Sequence, residues 1–301
     1  MSKSHELTLG PVLYNWAPEC WRDFYFEIAD EAEVDNVCIG EVVCQKRAPF
    51  FTPHIADVVE RLEAGGKRVI HSALTLIMSA QDQALSKSLT AAEGLYVEAN
   101  DISQVSDIKG RDFAVGPFVN CYNEGTLAWL TEVGATRVCL PAELPMDAIA
   151  AIASAATIDV EVQAFGRTPL AISARCYHAR SRGLHKSGCE FVCGEDDDGM
   201  VIETMDAKPF LAVNGTQTQS YTCLNLVREL AALKDIGVSA FRLHPQTIDM
   251  VAVARTFRGV LDGYLTPEEA METLGDLWTQ SPFSNGFVRG VEGVKMVLEA
   301  E

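Results

Sequence analysis

Short apolar runs alternate with longer amphipathic stretches along most of this chain. The strand-like runs cover 7–14, 36–40, 68–73, 94–98, 113–120, 137–140, 159–165 and 240–243. Between most of them lie stretches with helical spacing of apolar residues, at 18–32, 53–64, 81–93, 123–132, 145–155, 224–234 and 247–260. Proline at Pro53 and Pro145 suits a first helical turn, and Gly65-Gly66 and Gly134 stop helices before the next strand. Eight strands alternating with helices predict an α/β fold of the (β/α)8 type, a TIM-barrel-like single domain over 1–301. Residues 175–215 break the rhythm. They hold a cysteine loop, an acidic turn from Glu195 to Gly199, and two strand-like runs at 200–205 and 209–213, which read as a hairpin insertion after the seventh strand.

Composition narrows the function classes. No stretch of the 301 residues is long and apolar enough to span a bilayer, so no membrane span is expected. With 24 basic and 42 acidic residues the formal net charge is −18, which repels phosphate backbones and anionic lipid; no nucleic-acid partner is expected. The opening Met-Ser-Lys-Ser-His-Glu-Leu has no signal-peptide apolar region, and nine cysteines in a chain of this size read as a reduced, cytoplasmic inventory.

The cysteines carry the most chemistry. Cys176, Cys189 and Cys193 fall within eighteen residues, flanked by Arg, His, Lys, Gly and Glu instead of a periodic apolar stripe. Clustered soft thiolates suit iron-sulfur clusters, zinc or copper(I), and a closed site needs a fourth ligand. In a barrel the loops after the strands gather on one face. Cys44 follows the second strand and Cys121 the fifth, so both are candidates. Cys44 is preferred because Gln45, Lys46 and Arg47 beside it supply donors and positive charge to offset thiolates. Cys20, Cys38, Cys139 and Cys223 read as packing residues. His178 and His185 read first as solvated loop histidines and second as spare ligands for the cysteine site, His244 as a turn residue, and Glu161 as a strand residue needing a partner if it points inward.

Gly40-Glu41-Val42-Val43-Cys44-Gln45-Lys46-Arg47, Asn120-Cys121-Tyr122-Asn123, the stretch 161–166 followed by 169–176, and Arg242-Leu243-His244-Pro245-Gln246 together resemble the ubiquinone-biosynthesis branch of the collagenase-like peptidase family. The likeness runs from about Leu9 to about Phe257. It implies a [4Fe-4S] cluster on Cys44, Cys176, Cys189 and Cys193. It also implies a heterodimer with a sister subunit, UbiU, that hydroxylates the ring of ubiquinone precursors without dioxygen, assisted by a lipid-binding accessory protein, UbiT, with prephenate as hydroxyl donor. Gly166-Arg167-Thr168-Pro169-Leu170 lacks the cysteine that other branches carry there, in keeping with this branch.

The sequence holds no His-Glu-x-x-His zinc motif and no Gly-x-Ser-x-Gly elbow, which disfavours proteolysis. Cys189-x₃-Cys193 lacks the third member of a radical S-adenosylmethionine motif. Polar residues at strand ends are the candidate substrate contacts: Glu41, Asn120, Tyr122, Arg175 and Arg242. The arginines are included because a dicarboxylate such as prephenate takes bidentate donors.

Overall fold

A computed structural model describes residues 5–298; four of the seven N-terminal residues read above for a targeting signal lie outside them. Its strands are β1 (Glu6–Leu9), β2 (Asn36–Ile39), β3 (Arg68–Ser72), β4 (Val97–Ala99), β5 (Phe113–Val115), β6 (Ala135–Cys139) and β7 (Asp159–Ile172). They continue with β8 (Met200–Glu203), β9 (Pro209–Asn214), β10 (Gln217–Asn225), β11 (Ala240–Leu243) and β12 (Phe283–Ser284). The helices are α1 (Pro18–Glu31), α2 (Ala48–Ala64), α3 (Ala80–Ala91), α4 (Ile102–Ile108) and α5 (Glu124–Glu132). After them come α6 (Met146–Ala155), α7 (Tyr177–Ser181), α8 (Leu230–Asp235), α9 (Met250–Leu261) and α10 (Pro267–Leu277).

Strands β1 to β7 pair in order and in parallel, and β11 pairs in parallel with both β7 and β1. That closes an eight-stranded barrel, the architecture the alternation predicts. The outer face of the strands and the inner stripes of the helices form one apolar shell. In α1, Trp21, Tyr25, Ile28 and Ala29 are buried at helical spacing.

The barrel interior is different. Burial alone would raise the Glu161 carboxyl, but Arg242 and Arg137 override it and hold it down at about 2. Arg242 Nε donates to Glu161 Oε1 at 3.0 Å, and its Nη2 also bonds Glu98. Arg137 Nη1 lies 3.5 Å from Glu161 and 3.1 Å from Thr8 Oγ1. Two buried carboxylates thus face two guanidiniums inside the strands, and Arg137 also pairs with the more exposed Glu6 and Asp159 at the barrel's edge.

Several elements depart from the sequence reading. The expected helix at 224–234 is only α8, because 217–225 is strand β10. The reason is tertiary: β7 runs beyond the barrel to Ile172, and its exposed ladder groups need an antiparallel partner, which β10 supplies. Helix α2 begins before Pro53, since Phe51 stacks on Trp21 with ring centres 5.2 Å apart and draws the earlier turn into the helix. Helices α4 and α10 were not anticipated. The hairpin insertion is there as β8 and β9, paired antiparallel, and β9 pairs in turn with β10.

Candidate metal centre

The loop after β2 is shaped by Gly40 and Glu41. Gly40 has φ +122, and a β-carbon there would come within 2.5 Å of the Ser72 carbonyl. The Glu41 carboxylate then folds back, with Oε1 accepting from Val43 N and Cys44 N, both at 2.8 Å. Burial pushes this carboxyl up while Arg47 and the two amides pull against it. Glu41 Oε1 therefore holds the turn that presents Cys44.

Cys44, Cys176, Cys189 and Cys193 all line one small cavity, together with Lys46, Arg47 and Lys186. Lys46 Nζ lies 3.3 Å from Cys189 Sγ and donates to the Lys186 and Ser187 carbonyls at 2.8 and 3.2 Å. It also sits 5.4 Å from the centre of the Phe191 ring. Arg47 is 1% exposed; it donates to Leu13 O at 2.9 Å and Asn214 Oδ1 at 2.8 Å, tying the β2 loop to the hairpin. Burial raises the Cys193 thiol, and the Arg47 guanidinium opposes that. Cys176 Sγ accepts from Ala179 N at 3.4 Å, at the start of α7. Glu190 and Phe191 are consecutive left-handed residues, φ 50 and 54, and the sharp reversal they make brings Cys189 and Cys193 to one side.

Among the described residues no three His, Cys, Asp or Glu side chains close on a point that one metal ion could occupy. Tetrahedral zinc needs thiolate sulfurs about 2.3 Å from a common centre. Four thiols around a shared space, with three cationic side chains at its wall, have the donor chemistry of a thiolate-held metal or cluster.

The other sequence candidates fall elsewhere. Cys121 is 1% exposed in the main core, pushed up to about 11 by burial, and does not line the cysteine cavity. All nine cysteines are free. Cys38, Cys139 and Cys223 are buried as expected, but Cys20 is exposed on α1, off the helix's inner stripe. His178 is a correction. It is fully buried, with Nε2 2.7 Å from Asp196 Oδ2 and Nδ1 facing Gly215 N at 3.4 Å, so it pins α7 to the hairpin turn instead of lying in solvent. His185 is exposed and bonds Ser187 Oγ at 3.0 Å.

Arg242 is not free for a substrate, being committed to Glu98 and Glu161 inside the barrel. Arg175 is exposed beside the cysteine loop. Asn120, left-handed at φ 62, lines a cavity at the barrel mouth, and Tyr122 at its rim bonds Glu143. Two anchors escaped the sequence reading. Asp198 of the acidic turn accepts from Thr247 N at 2.9 Å and Gln280 Nε2 at 3.0 Å, latching the insertion to the barrel and the C-terminal segment. His244, read as a turn residue, is 2% exposed and held down at about 3 by burial and by Arg242. Polar residues in a turn-like sequence give no sign of whether tertiary packing will cover them.

The model of peptidase family U32 matches residues 24–297. The chain is 29% identical over 160 residues, 50% of its length, to a 23S rRNA 5-hydroxycytidine synthase of Escherichia coli (strain K12). It spans only 22% of that relative. Among solved structures it is similar to the U32 peptidase Mk0906, with a TM-score of 0.46 and 12% identity over 82% of this chain and 95% of that one.

Proposed function

The chain belongs to peptidase family U32, and on that premise we propose that it is the UbiV-type iron-sulfur subunit of an oxygen-independent hydroxylase acting on ubiquinone precursors. Its [4Fe-4S] cluster would be held by Cys44, Cys176, Cys189 and Cys193. The observation that carries this reading is that these four thiols, from two distant segments, line one cavity walled by Lys46, Arg47 and Lys186. Such a cluster, when bound by four thiolates, supplies electron transfer or structural support without an open iron site for substrate. The chain's own residues do the rest: Glu41 holds the Cys44 turn, Lys46 donates toward Cys189, and Arg47 locks the turn to the hairpin. A sister subunit of the UbiU type and a UbiT-like lipid carrier complete the proposed assembly.

A second reading, hydroxylation of an RNA base, draws support from the activity of the Escherichia coli relative, a 23S rRNA 5-hydroxycytidine synthase. The net charge of −18 weighs against it, because an acidic surface repels the phosphate backbone. Anaerobic co-purification with the sister subunit, then iron and sulfide analysis, tests the cluster. Quinone content of cells lacking the chain, with and without oxygen, tests the pathway. The expected result is a brown complex containing iron and sulfide, and quinone lost only under anoxia. A colourless protein, or equal quinone in both strains without oxygen, would reverse the reading.

A further inference from the structure

The barrel mouth holds a cavity of about 260 Å³, formed by loops after several strands and by the overhang of β7. Its deep wall carries Cys139, Gln163 and His244, which are 1%, 4% and 2% exposed. His244 is a built feature. A β-carbon on Gly10 would come within 2.9 Å of its Nδ1, and one on Gly166 within 2.8 Å of its Cβ, so two glycines make room for it. Its Nδ1 has no hydrogen-bond partner. The three backbone carbonyls of Phe165, Gly166 and Arg167 take up Gln163 Nε2, at 3.4, 3.2 and 3.2 Å, leaving Oε1 as the atom able to accept from a ligand. Phe118 and Leu170 add apolar wall.

Charge decides what fits. None of the lining residues is Lys or Arg, and Glu143 stands among them. The Arg242 guanidinium that acts on His244 is spent on two carboxylates. An anion entering here would be desolvated without a counter-charge, at a cost of several kcal/mol.

We infer that this cavity is a ring-binding site for an uncharged phenol, with Gln163 accepting from the phenolic hydroxyl and His244 beside it, and that it excludes dicarboxylates. Any anionic hydroxyl donor, prephenate included, is then held outside this cavity. The inference deepens the hydroxylase reading and rests on it for the identity of the ring. A nucleobase is also an uncharged ring, but it arrives on a phosphate chain that the acidic surface and Glu143 oppose.

Calorimetric titration of the full-length, anaerobically purified chain tests this with a matched pair, 4-propylphenol and 4-propylbenzoate, alongside prephenate and cytidine. The phenol should bind at least about tenfold more tightly than the carboxylate, since a site built around a hydroxyl discriminates strongly. Gln163→Leu should weaken the phenol by about tenfold or more. Leu170→Arg, on the exposed rim, should leave the fold intact and raise carboxylate affinity, which keeps the idea testable if Gln163→Leu is unstable. Tighter binding of 4-propylbenzoate, prephenate or cytidine than of the phenol would overturn the inference. The iron content of the same samples is read separately: iron without phenol binding sinks this inference alone, and phenol binding without iron sinks the cluster reading alone.

Discussion

Both the barrel interior and the cysteine insertion gather buried polar groups, and they differ in how the charges close. Inside the barrel, Glu98 and Glu161 face Arg137 and Arg242, so the charges cancel within the protein. At the insertion, Lys46, Arg47 and Lys186 surround four thiols, and the buried Glu41 carboxylate that acts on Arg47 spends its Oε1 on the Val43 and Cys44 amides. Burial raises the Cys44 and Cys193 thiols, and the Arg47 guanidinium opposes that rise at both. The barrel's buried charges are met within the protein, while the charge balance of the insertion would be changed by the proposed cluster. The secondary structure mirrors this contrast: long parallel pairing in one region, short 3₁₀ turns and two left-handed residues in the other.

The most drastic way to break the contrast is to remove a thiol. Cys44→Ala, Cys176→Ala, Cys189→Ala or Cys193→Ala should each reduce reconstituted iron to background, with Cys121→Ala retaining the wild-type amount. Iron and sulfide assays after anaerobic reconstitution decide it. Loss of iron in Cys121→Ala with retention in Cys44→Ala would show that the fourth ligand is wrongly assigned.

Next in size is a cut in the barrel network. Glu161→Gln leaves Arg242 and Arg137 short of a buried carboxylate and should destabilise the fold by about 3–5 kcal/mol in chemical denaturation. The pH dependence follows from the same residue. The Glu161 carboxyl is held at about 2 against an ordinary 4.5, so its contribution is fully present above the ordinary value and is lost as pH falls through the folded one. Wild-type stability should fall across that window and Glu161→Gln should fall less. Parallel pH profiles for the two proteins would discount the network.

The smallest effect sharpens the comparison by separating the two regions. Asp198→Ala removes the acceptor for Thr247 and Gln280 and should cost about 1–3 kcal/mol. Its signature should be local. Hydrogen exchange is expected to quicken over 195–214 and stay slow in β1 to β6. Uniform acceleration over the barrel would mean that the insertion and barrel unfold as one unit.

How much could be read in advance follows from the same contrast. All eight barrel strands were legible because each is a short apolar run bounded by turn residues, a local signal. The grouping of Cys44 with the cysteine loop was also within reach, since a barrel sends its post-strand loops to one face. Most of strand β10 went unassigned and its last two residues were taken into a helix, because 217–225 is buried on both sides and shows no clean alternation. His178 and His244 looked like loop residues, and only the covering elements reveal that they are buried.

By itself the sequence determined the class of fold, the order of its strands and the types of ligand atom it can offer, because those depend on periodicity and on side-chain chemistry. Tertiary structure alone decided which charges were free. Arg242, Arg175 and Glu41 looked equally able to meet a substrate, yet one is buried in a balanced network, one is exposed to solvent and one holds a turn. The physical reason is that a charge's availability depends on its partners and its solvation, and both are set by residues far away along the chain.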